Sequence, residues 1–387
     1  MERVCLRNLL LLDPEAGAAQ PGGLLLRDGR IEAQLAPGEP GPGDARGIDL
    51  GGRGVAPGFL DLHFHGSLPF HDAVGFTASL DASSMQLARH GTTGFLATTV
   101  AWDREALASR VTALADIVTR GGHAGAVPIG IHLEGPWLAA SAAGAQPAAG
   151  IRDYDPGEGR EVLARGRGAI RMLTLAPEVA GAAALLEDLA REGVLAALGH
   201  SRADAATVEA AIERGARHVT HLFNAMGPLH HREPGLAGVA LADERLTCDL
   251  ICDGAHVHPT VVRAAARALG ERLVLISDRI EPEAGNAAAS SFGSGPVSND
   301  GVALRLPDGR LAGSCVTLDL ALRNAQRFAG LSLLEAIAAC TLRPARALGI
   351  EGERGTLRPG ARADLVVLGA DASVQATWIG GRQIWCQ

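Results

Sequence analysis

Eight short apolar runs recur through the middle of the chain, at Val55–Leu62, Thr93–Val100, Val127–Leu133, Ile170–Leu175, Val194–Leu198, His218–Leu222, Leu246–Ile251 and Leu273–Ile276. Alanine-rich segments of helical period separate most of them, among them Arg104–Ile117, Ala182–Glu192, Ala203–Arg214 and Pro259–Leu269. An apolar run followed by a helix is the unit of a parallel sheet, because parallel strands need a crossover and the crossover covers the sheet. Eight such units over roughly 230 residues is the count of a (β/α)8 barrel. A doubly wound sheet would alternate in the same way, but it would carry a G-x-G-x-x-G turn after its first strand, and none stands there. The expected fold class is therefore α/β, a (β/α)8 TIM-type barrel.

The ends have a different rhythm. Leu9–Leu12, Gly23–Leu26 and Arg30–Leu35 are β-type runs broken by Asp28-Gly29 and by Pro/Gly clusters. Ala363–Leu368, Val374–Ile379 and Gln383–Trp385 repeat that pattern, with Gly380-Gly381 as a hairpin turn. We expect both ends to meet in a small β-sandwich domain, 1–55 with 350–387, flanking a barrel over 56–349. Ala142–Gly150 and Ala284–Asp300 read as loops over the barrel mouth, and Leu331–Leu348 as a helix or helix pair broken at Pro344.

With 47% apolar and 20% charged residues the chain carries material for a large core, which excludes disorder as its main state. A net charge of −8 without a basic run gives no nucleic-acid-binding face. No stretch approaches the roughly 20 apolar residues of a membrane span, and Leu9–Leu12 is too short for a secretory leader. The six cysteines (Cys5, Cys248, Cys252, Cys315, Cys340, Cys386) form no C-x-x-C pair and read as buried small apolar residues in a reducing, cytoplasmic protein. All 35 basic residues are arginine. Schiff-base, P-loop and carboxylated metal-bridging lysines are thereby excluded, and any grip on an anion falls to Arg, His, backbone N–H groups or a metal.

Polar residues follow nearly every strand. Strand one ends Asp61-Leu62-His63-Phe64-His65-Gly66, strand three His132-Leu133-Glu134, strand five Gly199-His200-Ser201, and strand six Thr220-His221-Leu222-Phe223-Asn224. Strand seven ends Asp253-Gly254-Ala255-His256 and strand eight Ser277-Asp278. In a barrel these termini converge at one mouth. His63 and His65 alternate along a strand and share a face. An HxH pair, a glutamate, two further histidines and an aspartate at one mouth make a metal site, with Zn²⁺ or Fe²⁺ the usual guests of such ligands. Such an ion acidifies water and polarises a carbonyl, and a carboxylate beside it can move the proton to a leaving amine. Asp278 is placed for that role; its alternative is a helix N-cap.

The longer segments HLEGPWL (His132–Leu138), TLAPE (Thr174–Glu178), GHS (Gly199–Ser201), THLFNAM (Thr220–Met226), REPGLAG (Arg232–Gly238), DGAHVHP (Asp253–Pro259) and LAGS (Leu311–Ser314) stand in one order. In that order the chain resembles the N-acetylglucosamine-6-phosphate deacetylases of the amidohydrolase superfamily, from about Val55 to the C-terminus. The resemblance implies that Glu134, His200 and His221 hold a catalytic metal, and that His63 and His65 hold a second one bridged by Glu134, giving one or two ions per subunit. It implies Asp278 as general base and then acid, and His256 as a hydrogen-bond donor to the acetyl carbonyl. Asn224, Ala225 and Arg232 would grip the sugar phosphate, while Ala145 and Leu311, Ala312 and Gly313 line the sugar. Arg232 would come from a neighbouring subunit, which implies a homodimer. On the residues alone Arg232 suits a phosphate as well as it suits a solvent-exposed pair with Glu233.

Two departures stand out. After strand eight the family carries small residues, whereas here Arg279, Glu281 and Glu283 follow Asp278. Gln146 stands where the family carries a histidine. His71, His230, His231 and His258 read as exposed loop residues and Trp137 as packing. The expected activity is release of acetate from N-acetylglucosamine 6-phosphate. Its alternatives are another N-acyl substrate, such as N-acetylgalactosamine 6-phosphate or an N-acyl amino acid, and a non-catalytic barrel.

Overall fold

The computed structural model describes residues 3–67, 75–281, 291–292 and 295–387. His71, Glu283 and 284–290 of the second mouth loop lie outside the described residues.

Strands β1 (Arg3–Asp13), β2 (Ala18–Arg27), β3 (Arg30–Leu35), β4 (Ala45–Asp49) and β5 (Gly54–Pro57) come from the N-terminal end. They join Leu365–Leu368, Val374–Ile379 and Arg382–Cys386 in one eight-stranded sheet. The stitch between the ends is antiparallel pairing of Leu365–Leu368 with β5, Val366 opposite Ala56. Val4, Leu6, Leu24, Leu26, Val55, Leu365 and Trp378 form its buried core. Gly380-Gly381 makes the expected hairpin, both residues at positive φ, which matches the twist of the flanking strands.

The second sheet runs in chain order through β6 (Phe59–Gly66), β7 (Thr92–Thr98), β8 (Val127–Glu134), β9 (Ile170–Leu175), β10 (Leu195–Leu198), β11 (His218–Val219), β12 (Thr247–Ile251) and β13 (Leu273–Ile276). Neighbours are parallel throughout. The chain leaving β13 forms β14 (Arg279–Ile280), which pairs with β6, so the eighth strand returns to the first and the barrel closes. The helix Arg104–Arg120 shows how the sequence builds the outer layer. Asp103 caps it by accepting from Ala106 N at 2.9 Å, and Leu107, Val111, Leu114, Ala115 and Ile117 form its buried stripe. Each such large aliphatic side chain contributes roughly 1.5–3 kcal/mol through burial.

The structure corrects three expectations. The run Val55–Leu62 is not one strand: it hands over from the end sheet (β5) to the barrel (β6) at Gly58. The break in Leu331–Leu348 falls at Thr341 (φ −134°, ψ −79°), between helices Leu333–Cys340 and Leu342–Ala347. Pro344 sits in the first turn of the second helix, where no backbone N–H is owed. Of the cysteines, Cys386 is exposed and Cys315 half-buried, while the other four are buried.

Gly58 leaves no room for a side chain. A Cβ there would lie 2.2 Å from Thr93 Oγ1 and 2.3 Å from its Cγ2, and a β-branched residue within a strand cannot swing aside. Gly58→Val should therefore destabilise the protein by about 1–3 kcal/mol in urea unfolding. An unchanged midpoint would show that the hand-over between sheets tolerates a side chain.

Candidate metal centre and active-site cavity

Six buried side chains from far-apart segments meet at the barrel mouth: His63 and His65 on β6, Glu134 at the end of β8, His200 after β10, His221 after β11 and Asp278 after β13. Glu134 is the hub. Its Oε1 lies 3.0 Å from Nε2 of both His200 and His221 and 3.5 Å from Nε2 of His63, and its Oε2 lies 3.2 Å from Nε2 of His65. Asp278 Oδ1 faces the same pair at 3.3 Å (His63) and 3.4 Å (His65). Two ligand groups result, His63–His65–Glu134 and Glu134–His200–His221, each with ligand atoms within 4.8 Å of one another.

This donor set fits divalent metal. His200 Nδ1 meets the carbonyl of Ala142 at 2.9 Å, and His65 Nδ1 that of Thr98 at 3.2 Å. A carbonyl only accepts, so in the neutral rings Nδ1 carries the proton and Nε2 points a bare lone pair into the site. Yet His63 Nε2 and His65 Nε2 lie 3.2 Å apart, and His200 Nε2 and His221 Nε2 lie 3.1 Å apart. Positive charge holds each pair together, either a proton on Nε2 of His63 and of His221, whose Nδ1 atoms have no partner among the described residues, or a metal ion in its place. The electrostatics agree. Burial opposes a charge on His63 and His221, yet the neighbouring Glu134 and Asp278 carboxylates raise both to about 9. Burial also opposes ionisation of Glu134, but the surrounding imidazoles hold it well below the usual carboxylate range. Mixed nitrogen and oxygen ligands suit Zn²⁺ or Fe²⁺.

The backbone is bent to deliver these groups. His200, His221, Phe223, Ala225 and Asp278 all sit at positive φ, between 35° and 77°. Such residues cost of order 1–3 kcal/mol each and persist only where their surroundings hold them. Asp249, in the middle of β12, accepts from the backbone N–H of His221 and pairs with His218 Nε2 at 3.1 Å. Asp278 N donates to His63 O at 2.9 Å, and Ser314 N donates to Asp278 O at 2.9 Å. Asp61 Oδ1 accepts from the N–H groups of Ser277 (3.2 Å) and His63 (3.3 Å), tying strand eight to strand one just beneath the site. Asp278 is thus a strand-end residue followed by β14, not a helix cap.

Above the ligands opens a cavity of about 260 Å³, lined by His65, Glu134, His200, His221, His256 and Asp278, by Gly144, Ala145 and Gln146, by Asn224 and Ala225, by Ile280, and by Arg310, Leu311, Ala312 and Gly313. Every site residue expected from the sequence reaches this wall except His63, which lies beneath it, and Arg232, which stands on an exposed loop with Nη1 2.7 Å from His231 Nε2. No ion pair joins Arg232 to Glu233 among the described residues. His256 Nδ1 bonds Asp253 Oδ2 at 2.6 Å, which leaves Nε2 for a ligand. Asn224 Nδ2 donates to the carbonyls of His221 (3.2 Å) and Leu222 (3.4 Å), so its amide shapes the turn.

The acidic residue after strand eight does not crowd the mouth. Alternation along the chain turns Asp278 and Ile280 inward and Arg279 and Glu281 outward, where they pair at 3.0 Å and line a separate cavity of about 10 Å³. Gln146 is buried: its Nε2 donates to Glu134 Oε2 at 2.5 Å and its Oε1 accepts from Ala101 N at 2.8 Å, which fixes the hub carboxylate. Trp137 packs edge-on against Tyr154, ring centroids 5.0 Å apart. His230, His231 and His258 are exposed, the last capping the helix Pro259–Leu269. Asp249, Asp61 and Arg310 escaped the sequence reading of the site. A charged residue inside the apolar run Leu246–Ile251 was a readable sign for Asp249, whereas Arg310 looks like any hairpin-turn arginine.

The amidohydrolase family pattern matches residues 55–384. The chain is 36% identical over 351 residues to the N-acetylglucosamine-6-phosphate deacetylase of Homo sapiens, covering 87% of this chain and 85% of that one. It is 35% identical over 328 residues to the N-acetylgalactosamine-6-phosphate deacetylase of Escherichia coli O157:H7, covering 85% and 87%. Its fold superposes on the solved N-acetyl-D-glucosamine-6-phosphate deacetylase of Mycobacterium smegmatis in complex with N-acetyl-D-glucosamine-6-phosphate, with a TM-score of 0.87, 36% identity, and 99% and 100% of the two chains covered.

A shared hub predicts an asymmetric response to ligand removal. Glu134→Gln should strip metal from both groups, whereas His65→Asn should spare the Glu134–His200–His221 group. Elemental analysis after dialysis, with circular dichroism to confirm folding, measures this. Full metal content in folded Glu134→Gln would overturn the bridging assignment.

Proposed function

The chain belongs to the amidohydrolase family, alongside its N-acetylhexosamine-6-phosphate deacetylases, and from that premise we propose that it hydrolyses N-acetylglucosamine 6-phosphate to glucosamine 6-phosphate and acetate. The observation that carries this reading is the convergence of two ligand groups on Glu134, with Asp278 against one of them, at the floor of a small-molecule cavity. The ion is read as zinc or iron(II), one or two per subunit. When bound it supplies Lewis acidity, polarising the amide carbonyl and acidifying water.

The chain's own groups do the rest. Asp278 takes a proton from the attacking water as the new C–O bond forms, then delivers it to the amine nitrogen as the C–N bond breaks. His256, whose Nδ1–H is taken by Asp253, offers Nε2–H to the acetyl oxygen as an imidazolium, protonated on both nitrogens, as negative charge builds there. Ala145 and Leu311, Ala312 and Gly313 wall the sugar, and Asn224 and Ala225 turn the backbone at its phosphate end. Arg232 lies outside its own cavity, which suits a homodimer in which it reaches the neighbouring site. Six free cysteines suit a reducing cytoplasm.

Similarity to a relative named for the galactosamine epimer supports a second reading, deacetylation of N-acetylgalactosamine 6-phosphate. Acetate release from the two epimers, measured in parallel, decides between them. On the preferred epimer Asp278→Asn should lower turnover about 10²–10⁴-fold with metal content retained. Full activity in that variant would refute the proton-shuttle role.

A further inference from the structure

The proposed substrate places a dianionic phosphate in a cavity whose described wall offers a single guanidinium, Arg310. With no lysine in the chain, a cationic contact from within the subunit falls to an arginine. Arg310 closes the turn before Leu311–Ser314, with Leu306 N donating to its carbonyl at 2.9 Å. Its Nη1 donates to Gly144 O at 2.7 Å, and its Nε donates to Asp308 Oδ2 at 2.7 Å. Nη2 donates in neither bond.

The tie to Gly144 brings the charge beside the Asn224–Ala225 turn. A Cβ on Gly144 would lie 3.4 Å from both Ala225 Cβ and His200 Cε1. Gly144 thus stands where that turn meets the His200 side of the cavity, and the guanidinium bonded to its carbonyl borders both. Asn224 Nδ2 is spent on the carbonyls of that turn, so the turn supplies no side-chain cation or free amide donor of its own. The Arg310 side chain is 53% exposed before a ligand arrives, so holding its charge costs little, and a ligand seated on the wall would cover it.

We propose that Arg310 is a specificity-determining residue of its own subunit: its Nη2 grips the phosphoryl group of the substrate, while its Nη1 straps the 140s loop across the mouth. This rests on the amino-sugar phosphate reading above and adds to it a charged contact from within the chain. Arg310→Met keeps an unbranched, largely apolar stem and removes the guanidinium. Charge-assisted hydrogen bonds of this kind make the expected effect a rise of about ten- to hundredfold in KM for N-acetylglucosamine 6-phosphate. The kcat/KM for unphosphorylated N-acetylglucosamine, which feels only the loss of the strap, should fall several-fold less than that for the phosphorylated sugar.

Equal losses on both sugars would show a strap without a phosphate contact and overturn the proposal. So would an unchanged KM in Arg310→Met alongside a raised one in Arg232→Ala. Thermal stabilisation by inorganic phosphate and by glucosamine 6-phosphate provides a readout independent of turnover. Arg310→Met should lose the stabilisation that the unaltered protein shows. A protein stabilised by these ligands in an Arg310-dependent way but releasing no acetate would sink the deacetylase reading and leave the anion contact standing. Stabilisation that persists in Arg310→Met would sink the contact alone.

Discussion

A single carboxylate carries the architecture of the mouth. Glu134 must stay ionised while fully enclosed, and burial alone would push its proton back on. Four imidazoles within 3.5 Å of its two oxygens prevent that. They can do so only if β6, β10 and β11 end at the same height as β8, which parallel strands closed into a ring guarantee and an open sheet does not. The bent residues His200, His221 and Asp278 then become intelligible. Each must leave its strand abruptly to turn a side chain inward; His221 and Asp278 are held by hydrogen bonds from neighbouring strands, and His200 by the Ala139–Ala142 loop. The unfavourable local geometry at the rim is offset by the cooperative core beneath it.

That core is not uniformly apolar. Directly below the ligands, His132 lies between Thr98 Oγ1 (3.3 Å) and Thr174 Oγ1 (2.7 Å), and Thr174 meets Thr220 at 2.7 Å. Burial holds His132 well below its usual range, so it is neutral and bridges by hydrogen bonds. His218, Asp249 and Thr247 form a second such chain, His218 Nδ1 lying 2.7 Å from Thr247 Oγ1. Polar groups inside a barrel are costly only when unpaired, and a paired layer is stiffer than an aliphatic one because its bonds are directional. The layer transmits the rigidity of the barrel wall to the metal ligands. The Asp249 bond to the N–H of His221 is the clearest case.

Most of the barrel and of the side chains gathered at its mouth could be read from the chain, because both are written in local terms. A buried parallel strand is an apolar run, and a functional strand end is a polar residue immediately after one; His63, His65, Glu134, His200, His221 and Asp278 all announce themselves in this way. The misreadings arose where one stretch serves two masters. Val55–Leu62 reads as one apolar run because its two halves are buried in different sheets, and only the Pro57-Gly58 dipeptide within it marks the hand-over. Pro344 looks like a helix break, yet the first turn of a new helix suits it equally. Arg279 and Glu281 look threatening next to Asp278 until the period-two alternation of β14 is imposed. Arg310 was invisible for another reason: its relation to Gly144 spans 166 residues and depends on loop conformation, which carries no periodic signal.

The two ends of the cavity are governed by different physics. At the amide end, charge is dense, buried and mutually compensated, so every group is committed and a change to one disturbs all. Beside the Asn224–Ala225 turn, the described charge is one half-exposed guanidinium, while the turn itself is bonded to His221 and Ser201. Exposed charge is screened and adjusts to a partner without rebuilding the core. Asp278, by contrast, is fixed to the barrel through its backbone bonds with His63 and Ser314. The same loop that bears Gly144 also carries Gln146, whose amide holds the hub carboxylate at Oε2. That segment therefore touches both kinds of charge the cavity brings together, the exposed guanidinium at Gly144 and the buried carboxylate at Gln146.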